Sequence, residues 1–277
     1  MSDPSAIAMR AANARMYSVT PAAAGAWKQL FVWLAQASGT PLQVVDHAFP
    51  APLGDLWARP DLGAAFICGY PYALGGKRQR IVAAPVPAGA RYGGRPVYMT
   101  DFVVRADSRY AVLEDTFGGR LGYTVEDSHS GFNAVRHHLL AFRTPERPLL
   151  YRATVGPLYT PRKVIEAVLS GDIDVGPLDG YALDLVRRHE PQLAERLRIV
   201  ATTAPAPIPM LVASPDCPSE TVAALREALL RFGDAPETAA IRDALCLSCF
   251  AAVEPAAYDL PLAWERAAVA AGYAVPG

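Results

Sequence analysis

Hydrophobic positions along this chain recur with two different periods, and the switch between them marks its elements. Leu121, Tyr123 and Val125 fall at every second position, which suits a strand. Phe132, Val135, Leu139 and Phe142 recur at spacings of three and four, which suits one buried helix face. Between the two lies the polar turn Ser128-His129-Ser130-Gly131. A hydroxyl at a helix start caps free backbone N–H groups. The same N–H groups, at the positive end of the helix dipole, can instead hold an anion. Gly131 lets a ligand come close to the backbone. These residues allow both a plain N-cap and an anion socket.

Upstream, the pattern predicts a strand over 14–19, then a helix opened by Thr20 as N-cap and Pro21 as first residue. Trp27, Leu30, Phe31 and Leu34 form its apolar stripe, and Gly39 ends it. A strand over 42–45 completes a β-α-β unit, which implies a parallel sheet. A short helix over 53–57 and a buried strand over 64–68 follow. That strand runs into Gly69-Tyr70-Pro71-Tyr72, which reads either as an ordinary Gly-Pro turn or as a ligand position beyond a strand's carboxyl end. After a strand over 81–86 and a Gly/Pro-rich loop over 86–96, the run 97–104 reads as a crossing strand.

From Arg120 the β-α-β grammar restarts, with the serine turn, a helix to about Phe142 and a strand over 149–155. Thr160 and Pro161 again read as N-cap and first helical residue, with Val164, Ile165, Val168 and Leu169 inward and Gly171 as C-cap. A strand over 173–177 leads to Leu178-Asp179-Gly180-Tyr181, where Asp179 either faces a ligand or caps the next helix. A strand over 197–202 and a proline-rich return over 203–209 precede an extended stretch over 210–214. Three closing helices are expected over 218–232, 236–245 and 255–271. The fold class that follows is α/β, with two lobes joined by a two-segment hinge. The first lobe is discontinuous, 1–104 and 205–277, and the second spans 105–204. The hinge segments are expected near 100–105 and 204–213, and a cleft between the lobes is the natural ligand site.

Composition narrows the partners. The chain has 277 residues, 52% apolar and 19% charged, enough for one large core or two smaller ones. Its net charge is −1 with no basic run, which excludes a nucleic-acid or anionic-membrane surface. No segment reaches the ~18 apolar residues of a bilayer span, so direct membrane insertion is not expected. Residues 1–15 carry Arg10 and Arg15 and no apolar core, so they do not read as a secretory signal. The expected location is cytoplasmic for the sequence as it stands, and periplasmic if a leader is missing from it. Cysteines stand at Cys68, Cys217, Cys246 and Cys249. The Cys246–Cys249 spacing fits half a metal site or a redox pair, but no second Cys or His pair follows. Thiols packed near a helix end are the simpler expectation, with no metal and no cofactor.

The order of these motifs resembles the substrate-binding proteins of phosphonate and phosphite uptake systems, which have the type II periplasmic binding protein fold. The resemblance runs from about Arg15 to Ala213. It is carried by Met16-Tyr17, Cys68-Gly69-Tyr70-Pro71, Tyr98, Ser128-His129-Ser130-Gly131, Gly171-Asp172-Ile173-Asp174-Val175 with Asp179, and Pro207-Ile208-Pro209. It implies that Ser128, His129 and Ser130 bind phosphonate oxygens and that Tyr17 and Tyr98 close over the ligand. It implies that Asp179 binds a ligand amine or orders the site. One stretch departs from the family: Gly156-Pro157-Leu158-Tyr159 lacks the histidine often found there.

The leading functional expectation is therefore a binding protein, not an enzyme. It holds a small anionic, phosphonate- or phosphate-like ligand through Tyr17, Tyr70, Tyr98, Ser128, His129, Ser130, Gly131 and Asp179. Hydroxyls and backbone dipoles suit such a group without arginine. Its partner is an ABC permease, or a signalling protein if the module is a cytoplasmic sensor. The alternative is a dehydratase- or deaminase-like enzyme on the same fold, for which only Asp101, His129 and Asp179 offer acid–base groups. Ser128 or Ser130 beside His129 lacks the orienting acid and oxyanion site of a triad.

Overall fold

The computed structural model describes residues 8–277. Residues 1–7, which belong to the expected 1–104 lobe and to the leader reading, lie outside the described residues.

The first strand, β1 (Arg10–Asn13), lies earlier than the expected 14–19. Asn13 ends it: its Oδ1 accepts the Arg15 N–H at 2.8 Å and its Nδ2 donates to the Val45 carbonyl at 2.9 Å. Arg15–Tyr17 then closes as a tight turn. Helix α1 (Pro21–Ser38) starts and stops as expected, with Thr20 Oγ1 accepting from Ala23 N–H at 3.1 Å and Gly39 left-handed at φ 65°. Next come β2 (Leu42–Val44), α2 (Leu53–Trp57) and β3 (Leu62–Ile67). The Gly-Tyr-Pro-Tyr stretch is neither a turn nor a loop. It forms α3 (Gly69–Leu74), with Pro71 in the first turn, where its missing N–H costs nothing. Strand β4 (Arg80–Pro87) follows.

The crossing run divides into β5 (Val97–Tyr98) and β6 (Thr100–Arg105). Strand β7 (Arg120–Gly122) leads to the serine turn, a wide turn over His129–Asn133 that continues into α4 (Ala134–Leu139). Then come β8 (Ala153–Val155) and α5 (Pro161–Ser170), the helix capped by Thr160 and Gly171 as expected. Strand β9 (Gly176–Asp179) lies later than the expected 173–177, because Asp174 is drawn aside to accept the Arg120 N–H at 2.7 Å. Helices α6 (Gly180–His189) and α7 (Pro191–Ala194) precede β10 (Leu197–Thr202) and β11 (Ala206–Pro207).

The chain ends with β12 (Met210–Ala213), α8 (Ser219–Arg231), α9 (Ala239–Leu245), β13 (Leu247–Ala251) and α10 (Leu260–Ala270). Strand β13 is not foreseen in the sequence reading. Cys246 is the left-handed C-cap of α9, and Cys249 lies within β13. Among the described residues no cluster of His, Cys, Asp or Glu has the makings of a metal site.

The chain divides into two compact units, 8–68 with 75–96 and 208–255, and 69–74 with 97–207 and 256–277. The first holds a six-stranded sheet in the order β13-β4-β12-β3-β1-β2. Strand β1 runs parallel to β2 and β3, as the β-α-β pattern requires, while β12 runs antiparallel to β3 and β4. Tyr17, Trp27 and Phe66 lock α1 onto this sheet, with ring centroids 5.0 Å apart for Tyr17–Phe66 and for Trp27–Phe66.

The second unit holds the antiparallel sheet β10-β6-β9 and the parallel pair β7-β8, joined by a bridge between Leu121 and Val175. Phe102, Val104, Leu121, Val135, Leu139 and Val175 fill its core. Strands β5 and β11 pair antiparallel, Tyr98 opposite Ala206, beside the unit limits at 96/97 and 207/208. Helix α10 packs with the second unit, whereas the sequence reading assigned 205–277 to the first. An amphipathic pattern says that a helix buries one face, not which neighbour covers it.

Candidate functional site

The serine turn is built by its own backbone. Ser128 Oγ accepts the Gly131 N–H at 2.9 Å, and the Ser128 carbonyl accepts the Asn133 N–H at 3.0 Å. That five-residue step makes the turn wider than an α-helical one. The N–H groups of His129 and Ser130 come before the helical ladder begins, so the helix itself supplies no acceptor for them. Ser128 uses an oxygen lone pair as a cap and keeps its O–H proton for a further acceptor. Phe132, Val135 and Leu139 are buried, as their spacing predicts, and they fix the direction of the helix start.

Thr100 ties this turn to Asp179. Its hydroxyl donates to the Ser130 carbonyl at 2.9 Å, and it stands opposite Asp179 in the β6–β9 pairing. Thr203 holds Thr100 from the other side, Oγ1 accepting the Thr100 N–H at 3.0 Å. Asp179 Oδ1 accepts from Tyr181 and Ala182 N–H at 2.9 and 3.0 Å, so the carboxylate caps α6. Two helix starts, at His129 and at Gly180, therefore meet at one threonine.

His129 is 1% exposed. Its ring stacks on Trp264 of α10 at 5.1 Å and lies 6.1 Å from the Tyr98 ring. Burial, and then His137 nearby, push it down to about 3, so the imidazole is neutral at physiological pH. Tyr98 is buried on β5. Tyr98, Ser128, His129, Ser130, Gly131 and Asp179 are thus brought into one unit. Tyr70 joins that unit through α3, but its hydroxyl donates to Glu265 Oε1 at 2.7 Å. Burial, and then this contact with Glu265, push its pKa up to about 12. Tyr17 lies elsewhere, in the aromatic core of the first unit. Asp101, an acid–base candidate of the enzyme reading, is fully buried in the sheet and accepts from Thr202 Oγ1 at 2.7 Å.

Five residues that the sequence reading passed over shape this site: Thr100, Thr124, Asn133, Arg136 and Trp264. Asn133 and Arg136 flank the buried helix face, and a polar pair there is a signal in itself, since burying it requires partners. Trp264 carries no such signal, because it reaches the turn from more than a hundred residues away.

The family model described as the periplasmic substrate-binding protein of phosphonate ABC transporters matches residues 18–258. No curated protein matches the sequence. Among solved structures, the chain is similar to the binding-protein component of an ABC phosphonate transporter from Pseudomonas aeruginosa, with TM-score 0.78 and 17% identity over 95% of this chain and 88% of that one. It is similar to PhnD1 from Prochlorococcus marinus in complex with methylphosphonate, with TM-score 0.76 and 14% identity over 94% and 97% of the two chains. It is also similar to XAC2383 from Xanthomonas citri bound to ATP, with TM-score 0.64 and 18% identity over 95% and 98%. The fold is the α/β fold of type II periplasmic binding proteins. The chain belongs to the phosphonate-binding family of ABC-transporter periplasmic substrate-binding proteins.

Proposed function

We propose that this chain binds a small phosphonate-like anion at the serine turn of its second unit and delivers it to an ABC permease. The carrying observation is the helix start at Ser128: a wide turn with N–H groups ahead of the ladder, two hydroxyls, and Thr100 linking it to Asp179. Ser128, Ser130 and the adjoining N–H groups hold the oxyanion. Gly131 keeps the backbone approachable, His129 adds a neutral donor, and Tyr98 packs beside His129. Asp179 orients the α6 start and meets a cationic or hydroxyl head on the ligand.

The enzyme alternative gains nothing from the geometry: Asp101 is bound within its sheet, Asp179 is a cap and His129 is neutral and buried. The family description supports a periplasmic address, and among the described residues no helix is long and apolar enough to cross a membrane.

A thermal-shift and calorimetry panel of methylphosphonate, inorganic phosphate, ATP, a sulfonate and a carboxylate tests this reading. A ligand at a hundred times its dissociation constant stabilises the protein by about 2.7 kcal/mol. Methylphosphonate or phosphate is expected to give the largest shift. Stabilisation by the carboxylate alone, or by none of the panel, overturns the reading.

A further inference from the structure

The amide of Asn133 has its orientation decided by its neighbours. Arg136 Nη2 can only donate, and it lies 3.0 Å from Asn133 Oδ1. The Pro261 carbonyl can only accept, and it lies 2.8 Å from Asn133 Nδ2. The remaining N–H of that amide faces His129 Nδ1 at 3.2 Å. An amide nitrogen offers no lone pair, so His129 Nδ1 must accept, and the ring proton resides on Nε2. That Nε2–H is buried and has no hydrogen-bond partner among the described residues. A buried donor left without an acceptor costs free energy, which makes it a pointer to a bound group.

The chain of contacts begins at a charge. Arg136 is 5% exposed, donates to Asn133 and to the Ala274 carbonyl at 2.9 Å, and lies 4.9 Å over the Phe132 ring. Among the described residues no carboxylate forms an ion pair with it. The Tyr70 hydroxyl lies beside it and donates onward to Glu265, so its nearest carboxylate is one hydroxyl away. The guanidinium bonded to Oδ1 polarises the amide, and through it the imidazole. Thr124 Oγ1, packed against Gly131, is a second buried polar atom at the same turn with no partner among the described residues.

We propose that Asn133 and Arg136 are positioning residues for anion binding, which lock His129 as its Nε2–H tautomer and present that proton to the phosphonate-like anion of the serine turn. This rests on the anion-binding reading above. The arrangement supplies a strong donor without placing a titrating cation in the site, so one geometry serves singly and doubly charged phosphonates. It also explains why a buried arginine lies one helical turn behind a turn whose own groups are neutral.

The test uses the full chain with 15N-labelled histidine, followed by NMR, with methylphosphonate and inorganic phosphate titrated in parallel by calorimetry. In the free protein the His129 proton is expected on Nε2, and saturation with whichever probe binds is expected to move that resonance. Asn133→Asp places a carboxylate opposite Nδ1, which moves the proton there. It is expected to weaken binding at least tenfold, and Arg136→Lys is expected to retain more affinity than Arg136→Met. A proton on Nδ1 in the free wild-type protein overturns the inference, and this readout needs no variant to fold. So does measurable heat of binding with an unmoved His129 signal, which leaves the binding reading standing and His129 a packing residue. Unchanged affinity in a folded Asn133→Asp does the same. Absence of heat with both probes removes the binding reading itself, and the inference with it.

Discussion

Gly131 packs against Thr124 with no room for a side chain: a Cβ at 131 would overlap Thr124 Oγ1 and lie 2.8 Å from the Thr124 Cβ and Cγ2. The glycine is therefore needed for packing inside the turn, in addition to any closeness to a ligand. Gly131→Ala is expected to destabilise the protein by about 1–3 kcal/mol through overpacking. Thr124→Ala in the same chain is expected to recover part of that loss, since it removes Oγ1 and Cγ2. A double-mutant cycle in denaturant unfolding measures the coupling, and strictly additive losses would refute this contact as the cause.

The two serines differ in what they do for the fold. Ser128 caps Gly131, whereas Ser130 contributes its carbonyl to Thr100 and leaves a half-buried hydroxyl. Ser128→Ala is expected to cost about 0.5–2 kcal/mol of stability as a lost cap. Ser130→Ala is expected to leave stability within about 0.5 kcal/mol while weakening methylphosphonate binding by about 1.5–3 kcal/mol. Calorimetry and unfolding on the same two variants separate these effects. Full affinity in Ser130→Ala removes that hydroxyl from the site.

Asp179 is a cap by geometry, and asparagine caps equally well. Asp179→Asn is thus expected to keep stability and methylphosphonate affinity, and to lose affinity at least tenfold for an aminoalkylphosphonate, whose ammonium needs the charge (~1.4 kcal/mol). Equal affinities for that ligand in wild type and variant would confine Asp179 to capping.

Tyr70 donates to Glu265 across α3 and α10, so its hydroxyl is already committed. Tyr70→Phe is expected to cost about 1.5–3 kcal/mol of stability, the range for a hydrogen bond to a charged group. Methylphosphonate affinity should stay unchanged, and a clear drop measured by calorimetry would return Tyr70 to the ligand site.

His129 makes stability depend on pH. Its folded pKa of about 3 lies below the ordinary 6.5, first through burial and then through His137. Between those values the unfolded chain takes up a proton that the native protein excludes. Stability is therefore fully present above pH 6.5 and falls as the pH is lowered toward 3, by about 1.4 kcal/mol per pH unit for this one group. Burial pushes His137 and His138 down as well, which adds to the slope. The titratable or charged groups facing His129 include His137 on α4, Tyr98 on β5 and, through the Asn133 amide, Arg136 on α4; Glu265 of α10 reaches this group through Tyr70, which lies beside Arg136. His129→Gln is expected to remove about one proton's share of the slope, read by urea unfolding from pH ~7 to pH ~5. An unchanged slope would place the excluded proton elsewhere.

What the linear sequence determined about this protein is local. Thr20 with Pro21 and Gly39, and Thr160 with Pro161 and Gly171, delimit two helices because caps act within one turn of the chain. The spacing of Phe132, Val135 and Leu139 identified a buried face because helical periodicity is a property of consecutive residues. The order of the motifs, read together, led to the family. Tertiary structure decided everything that depends on distant partners. Asn13 ends β1 early through the Val45 carbonyl, 32 residues on. The stretch Gly69–Tyr72, which the sequence left open between a Gly-Pro turn and a ligand position, is part of helix α3, packed through Tyr70 on Glu265, and α10 sits with the serine turn in the second unit. The serine turn itself was legible, but its threonine link to Asp179 and its relay from Arg136 through Asn133 to His129 were not. Hydrogen bonds between residues far apart in sequence leave no period to read, and only the folded chain brings their donors and acceptors within reach.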